Sequence, residues 1–337
     1  MKESAMEKEA SKQAKQWPGS WDLGRLGRRI LYDRVLLLIT LIVFLSIIMA
    51  VVYPDAFLHW DNMAAILLDS AQGGIITTGM LILLICGVFD LSAGNALAFA
   101  GIVAGILVKD VGLPPIWAIL AGIATGVLIG AANGLIITRL RINALITTLA
   151  MSGILRGVTQ IISPSGVANL PDDFKPFGQT VFLGLQSPFW AMVIVVLATW
   201  FLLARTRFFR QFYYVGSNAK AATLSGIKVP LVTVIGFCIM GGLSGLAGVI
   251  LASRLSNAVV LAGTGIELRA ITAAILGGAS LSGGQGTVPG AFLGVLFVSL
   301  IQNILIITRV PVFYQSIVVG VVLLVAIGID QFGQRRR

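Results

Sequence analysis

Ten apolar stretches recur along this 337-residue chain, at roughly 33–53, 62–86, 91–109, 115–137, 143–162, 189–204, 231–252, 266–281, 287–307 and 312–329. Crossing the hydrocarbon core of a bilayer takes about 20 mostly apolar residues in helical form, because a helix satisfies its own backbone groups where no water can. A chain that repeats this length so often is expected to fold as an all-α, polytopic transmembrane helix bundle of about ten spans. The composition agrees, with 57% of residues hydrophobic and 11% charged, against about 25% charged in soluble domains. Residues 31–332 therefore read as one transmembrane domain between two basic tails, 1–30 and 333–337. The segment 266–281 is short and Gly-rich, so a partial or re-entrant span is the alternative to a full one. Cys86 and Cys238 lie inside apolar runs and read as small hydrophobes, with no disulfide framework implied.

Basic residues set the orientation. With the N-terminus cytoplasmic, 18 of the 24 Lys and Arg residues fall on the inner side. Eight lie at or before Arg34, followed by Arg139 and Arg141, five within 205–230, and Arg335 to Arg337. The positive-inside rule supports this orientation, with an even number of spans and both termini cytoplasmic. The net charge of +10 is accounted for by topology, so no nucleic-acid partner is implied. Residues 1–30 do not read as a secretory signal, because Gln16-Trp17-Pro18-Gly19 follows the basic region where an apolar core and cleavage site would be needed. This tail either rests on anionic membrane lipid or is simply solvated.

Two connections stand out. The stretch Arg205–Pro230 carries five basic groups, no acidic group and an Ala-rich helix-favouring segment, Asn218 to Leu224, closed by Ser225-Gly226. It is expected to be gripped from the cytoplasm. The opposite-side loop 163–188 is long and holds four prolines, which forbid a continuous helix. It either docks an extracytoplasmic partner or packs as a lid on the outer mouth.

Small residues mark helix contacts. Gly122, Gly126, Gly130 and Gly134 form one stripe of a single helix, and Gly241/Gly245 and Gly290/Gly294 repeat the spacing. Such stripes let backbones approach closely, here as intramolecular packing. Leu91-Ser92-Ala93-Gly94-Asn95 is weakly echoed by Leu281-Ser282-Gly283-Gly284-Gln285. The second of these also matches the signature of ABC-type ATPases. Phosphate binding would need G-x-x-x-x-G-K-[ST], yet no Gly-Lys pair occurs in the chain. ATP hydrolysis by this chain is therefore not expected.

Polar groups inside apolar runs are candidates for function. Asp69 reads as a solvated residue at the outer mouth. Asp90 is placed to accept amides at the start of the next helix. Thr264 and Glu267 have capping-box spacing. Arg156 either lines a watery path, pairs with an acid or snorkels. The absence of any acid or histidine near the middle of a span argues against a proton-driven carrier, and nothing resembles a catalytic cluster or a metal site. Asn95, Gln302 and Asn303 are neutral polar groups within spans, as are Asn133, Thr147, Thr148 and Gln160. They suit either a hydroxyl-rich solute or interhelical hydrogen bonds.

Three ordered blocks carry a family resemblance: Gly87-Val88-Phe89-Asp90-Leu91-Ser92-Ala93-Gly94, Val215 through Ile227, and Gly263-Thr264-Gly265-Ile266-Glu267-Leu268 through Gly277 to Gly286. With these, nearly everything after residue 35 resembles the membrane permease subunits of ribose-type ABC sugar importers. Departures occur at Phe89, Asn95 and Arg269. The resemblance implies a permease domain in the bacterial inner membrane that moves a neutral, pentose-like sugar or related polyol without chemistry on the solute. It implies that 215–227 couples to a separate ATPase subunit, which holds ATP and Mg, this chain binding no cofactor of its own. It further implies a periplasmic sugar-binding protein and a second permease copy or paralogue. Gly216, Asn218, Ala221, Ala222, Ser225 and Gly226 are the expected coupling residues. Asp90, Asn95, Arg156, Gln302 and Asn303 are candidates for the path. A nucleoside, vitamin or signalling molecule is the alternative solute, and an ion-coupled secondary carrier the rival mechanism.

Overall fold

The computed structural model describes residues 34–311 and scattered positions from 314 to 325. The tails 1–30 and 333–337 lie outside the described residues, as does much of the expected span 312–329. Among the described residues, seven helices are long and apolar enough to cross a membrane: α1 (Arg34–Val52), α3 (Trp60–Ile85), α5 (Pro115–Arg139), α6 (Ala144–Ile162), α8 (Ser187–Arg205), α11 (Val229–Leu255) and α13 (Val288–Ile307). Shorter helices complete the set: α2 (Pro54–Phe57), α4 (Ala93–Lys109), α7 (Pro176–Gln179), α9 (Arg207–Ser217), α10 (Ala219–Leu224) and α12 (Ile266–Leu276). A small antiparallel hairpin, β1 (Val181–Phe182) with β2 (Leu185–Gln186), is the one departure from an all-α description among the described elements.

Helix starts follow the expected chemistry. Pro115, Pro188 and Pro230 stand in the first turn of α5, α8 and α11, where the missing amide costs no hydrogen bond. Asn143, Thr206, Asn218 and Thr287 accept amides at the starts of α6, α9, α10 and α13.

The expected eighth span is half of one. α12 has 11 residues, a length of about 16 Å against a hydrocarbon core of about 30 Å. Residues 256–265 are not helical. This stretch starts at the end of α11 remote from 205–230, where Ala258 bridges Val167. Near its other end Gly263 lies against Gly94 at the start of α4. Ser256 closes α11 in a left-handed conformation, and Gly265 opens α12 with φ +78°. Ala258, Val260 and Gly263 of this irregular stretch are buried against the bundle, while Val259, Leu261 and Thr264 are exposed.

The glycine stripe of α5 is an internal seam. Gly126 faces Gly241 and Gly245 of α11, Gly130 faces the backbone of Phe237 and Cys238, and Gly134 faces Val234. Gly290 and Gly294 of α13 meet Gly277 and Ala273 beside α12 in the same way. α3 runs through the middle, with Ile75 to Ile85 almost entirely buried.

The 163–188 connection is a packed cover. Val167, Leu170 and Phe174 are buried against Ile102, Ile119, Val249 and Ala252. Ser253 donates its hydroxyl to the Phe174 carbonyl at 2.7 Å, and Asn169 donates its amide to Asn257 Oδ1 at 2.9 Å. The loop is thus packed on one end of the bundle. Phe182 and Leu183 at the hairpin remain exposed.

Candidate functional site

The stretch 205–230 forms a helical elbow at one end of the bundle. Thr206 ends α8 and caps α9, whose buried Phe212 and Val215 hold it against the core. Phe208, Phe209 and Phe212 pack edge-on or tilted, with centroids 5.7–6.0 Å apart. Tyr213 fixes the helix further by donating its hydroxyl to the Gly286 carbonyl at 2.9 Å. Asn218 is extended, ends α9, and accepts the Ala221 amide at 3.0 Å. Gly226, at φ +83°, turns the chain out of α10, and Ile227 donates back to the Ala222 carbonyl at 3.0 Å.

This geometry divides the six expected coupling residues. Asn218, Ala221, Ser225 and Gly226 are exposed. Ala222 is buried at 4% exposure against the bundle and offers no surface to a partner. Gly216 is wedged into the bundle, and a Cβ there would overlap the Ile85 carbonyl oxygen and stand 2.7 Å from the Gly284 amide nitrogen. Both sit in packing contacts within the chain, and a small side chain is what each contact admits. Leu224 was missed. It is 90% exposed at the tip of α10, and an apolar side chain projecting from a polar segment is the signal that marks it.

Gly284 donates to the Ile85 carbonyl at 2.8 Å, and Gly283 lies against Gly87 and Gly216. Gly283 and Gly284 have φ of +85° and +74°. The ATPase-like pentapeptide is therefore a glycine turn locking the end of α3 to the end of α9.

The expected path residues do not converge. Asp90 is 1% exposed, and its Oδ1 accepts the Ser92 amide at 2.7 Å and hydroxyl at 2.6 Å. Asn133 donates to the same hydroxyl at 2.9 Å. Asn95 donates to Ser152 at 2.7 Å, joining α4 to α6. Asn303 exchanges bonds with Asn62 at 2.6 and 3.3 Å. Arg156 is on the exposed face of α6 beside Gly153 and Gln160, not in the interior.

Thr264 and Glu267 do not form a capping box. The Thr264 hydroxyl donates to the Leu261 carbonyl at 2.9 Å, and Gly265 is the cap. The left-handed glycine turns Thr264 away from the helix, so only the Glu267 carboxylate reaches back to the Gly265 amide.

Gln302 lines a cavity of about 50 Å³ between α3, α12 and α13. Asp69, Gln72, Thr77, Arg269 and Ser299 share its wall with it. Ser299 donates to Asp69 Oδ2 at 2.8 Å, and Arg269 donates to Gln302 Oε1 at 3.3 Å. Gln72 Nε2, Thr77 Oγ1 and Gln302 Nε2 are buried without a partner. Helical spacing of polar residues within apolar segments (69, 72 and 77; 299 and 302) was the available signal for this group.

Comparison with known proteins places the chain beside transport proteins. A family model described as branched-chain amino acid transport system / permease component matches residues 62–327. The ribose import permease protein of Escherichia coli K12 is 39% identical over 298 residues, 87% of this chain and 92% of that protein. The Bacillus subtilis ribose import permease protein is 38% identical over 86% and 90% of the two chains. The L-arabinose ABC transporter permease protein of Azospirillum brasilense is 36% identical over 90% and 88%. No solved structure matches the chain significantly.

Proposed function

The chain belongs to the family of branched-chain amino acid transport system permease components, and from that membership we propose that it is the permease subunit of an ABC importer for a neutral sugar. A pentose or related polyol is the solute class. The observation that carries this reading is the near full-length similarity, in both chains, to proteins named as ribose and L-arabinose permeases. The chain is a multi-pass membrane protein; the inner membrane of a bacterium, with both termini cytoplasmic, is the placement that its basic residues support.

In this reading ATP and Mg reside on a separate ATPase subunit. α10 seats in that subunit, with Asn218, Ala221, Leu224, Ser225 and Gly226 on the seated surface. Leu224, at 90% exposure, is the apolar side chain that this seating would take out of water. A periplasmic binding protein delivers the solute at the end covered by 163–188, and a second permease copy or paralogue completes the membrane unit. A nucleoside, vitamin or signalling molecule is the alternative cargo, and the family's description adds branched-chain amino acids.

The cognate binding protein identifies the cargo. Its thermal unfolding midpoint is expected to rise with ribose, arabinose or a related polyol and to stay constant with leucine, because only a ligand of the native state stabilises it. Stabilisation by leucine alone would replace the sugar reading with an amino-acid one.

A further inference from the structure

The cavity between α3, α12 and α13 has features that packing alone does not explain. Thr77 is 2% and Gln302 6% exposed, and each presents an unpaired polar atom to the same cavity. Leaving one such group unsatisfied costs about 1–3 kcal/mol; Gln72 adds a third. Three orphans converging on one void call for an occupant.

The second observation is the charge at the rim. Asp69 and Arg269 are both exposed on the surface of this chain. Asp69 lies nine residues past Trp60, the start of α3, roughly 13 Å along its axis, in a helix long and apolar enough to cross a membrane. Ionised side chains at that depth face water or protein and avoid lipid. This face of the chain therefore borders an aqueous space or a second permease copy around one.

We propose that this cavity is a solute subsite on the translocation path, one that takes vicinal hydroxyl groups of a neutral polyhydroxy solute in place of a small water cluster. The inference rests on the importer reading above and adds a location and a set of residues to it. The chemistry of the lining selects the class. Arg269 fixes Gln302 Oε1 as the acceptor of its guanidinium hydrogen bond, so the free end of Gln302 is an NH2 donor. Thr77 can donate or accept, and Asp69 keeps acceptor capacity beyond its bond from Ser299. Hydroxyls, which both donate and accept, match such a mixed set.

A bound cation fits poorly, because two of the three orphans are amide nitrogens and Asp69 has Arg254 within electrostatic reach. An anion or zwitterion would have to compete for charges that already carry internal partners. The volume of about 50 Å³ holds about three waters, so one edge of a pentose enters and the rest of the ring remains in the path. Ile266, Val295 and Val298 form the apolar wall against the ring.

The test uses the assembled importer in proteoliposomes. Thr77→Val and Gln302→Leu keep volume and remove the polar atom. Each is expected to lower ribose uptake about tenfold, the equivalent of about 1.4 kcal/mol, while ATP hydrolysis stimulated by the binding protein stays within about twofold. Thr272→Val, at a buried threonine bonded only to its own helix, is expected to leave both rates unchanged. A parallel arm needs no transport. In a chain carrying Cys86→Ala and Cys238→Ala, Gln302→Cys is expected to react with methanethiosulfonate ethylammonium, and ribose or arabinose is expected to slow that reaction where leucine does not.

Ribose uptake unchanged in both variants, with no shielding of the cysteine, would overturn the subsite and leave the importer reading standing. No polyol uptake by the unaltered importer, with the cysteine still shielded by polyols, would overturn the importer reading and retain the subsite. Shielding by leucine alone would overturn both.

Discussion

Gly130→Leu is expected to prevent the chain from reaching its folded state. A Cβ at this position would overlap the Phe237 carbonyl oxygen and stand 2.7 Å from the Phe237 carbonyl carbon and 3.1 Å from Cys238 Cα. Every one of these neighbours is backbone, so no rotamer change relieves the clash. The only escape is to separate α5 from α11, which opens the seam from Gly122 to Gly134. Overpacking a core with a flexible wall costs about 1–3 kcal/mol, and a wall made of two rigid helices puts the cost above that range. Without a hydrophobic drive between helices in lipid, close backbone packing is a main source of association. Gly153→Leu is the matched control, because nothing lies within 4 Å of the Cβ it would add. Size-exclusion chromatography in detergent should give a monodisperse peak for Gly153→Leu and aggregate or no protein for Gly130→Leu. Equal profiles would contradict the seam.

The second large effect is functional. Leu224→Asp is expected to lower ATP-driven uptake about a hundredfold while leaving the permease folded. At 90% exposure the leucine contributes almost nothing to the bundle, so its loss does not disturb the fold. Removing an apolar anchor and placing a charge at a desolvated contact costs about 2–4 kcal/mol at an interface, which is roughly 30- to 1,000-fold in affinity. Ala222→Asp makes the contrast. Ala222 is buried in the permease, so this change places an unpaired carboxylate in the core and should lower the thermal midpoint of the isolated chain. Co-purification with the ATPase, read beside that midpoint, separates the two. If Leu224→Asp retains full assembly and uptake, α10 is not the seated element.

Much of this architecture was legible because its causes are local. Apolar length gives spanning helices, Pro in a first turn gives their starts, and Gly at every fourth position of α5 gives a seam. The half-length α12 was visible as a short Gly-rich segment. The non-helical backbone leading into it was not, since nothing local dictates that Ala258 bridge Val167 or that Gly263 pack on Gly94. The same limit applies to the polar residues. Asp90, Asn95 and Asn303 look alike in sequence as polar groups near apolar runs, yet each is already paired, with Ser92, Ser152 and Asn62 respectively. Gln302 differs only in that one end of its amide has no partner, a fact set by three helices meeting. Gly216 and Leu224 were separable in principle, since one is small and the other large and apolar in a polar segment. A motif read as a unit hid the difference between its buried and exposed faces.

The central claim is that this chain moves a sugar only when a partner ATPase is seated on α10. Uptake of radiolabelled ribose into proteoliposomes with enclosed ATP and Mg tests it most directly, comparing this chain alone with the chain plus its ATPase and binding protein. The account predicts uptake only with all three present, and its loss with Leu224→Asp. Ribose accumulation by the chain alone, driven by an imposed ion gradient, would contradict it.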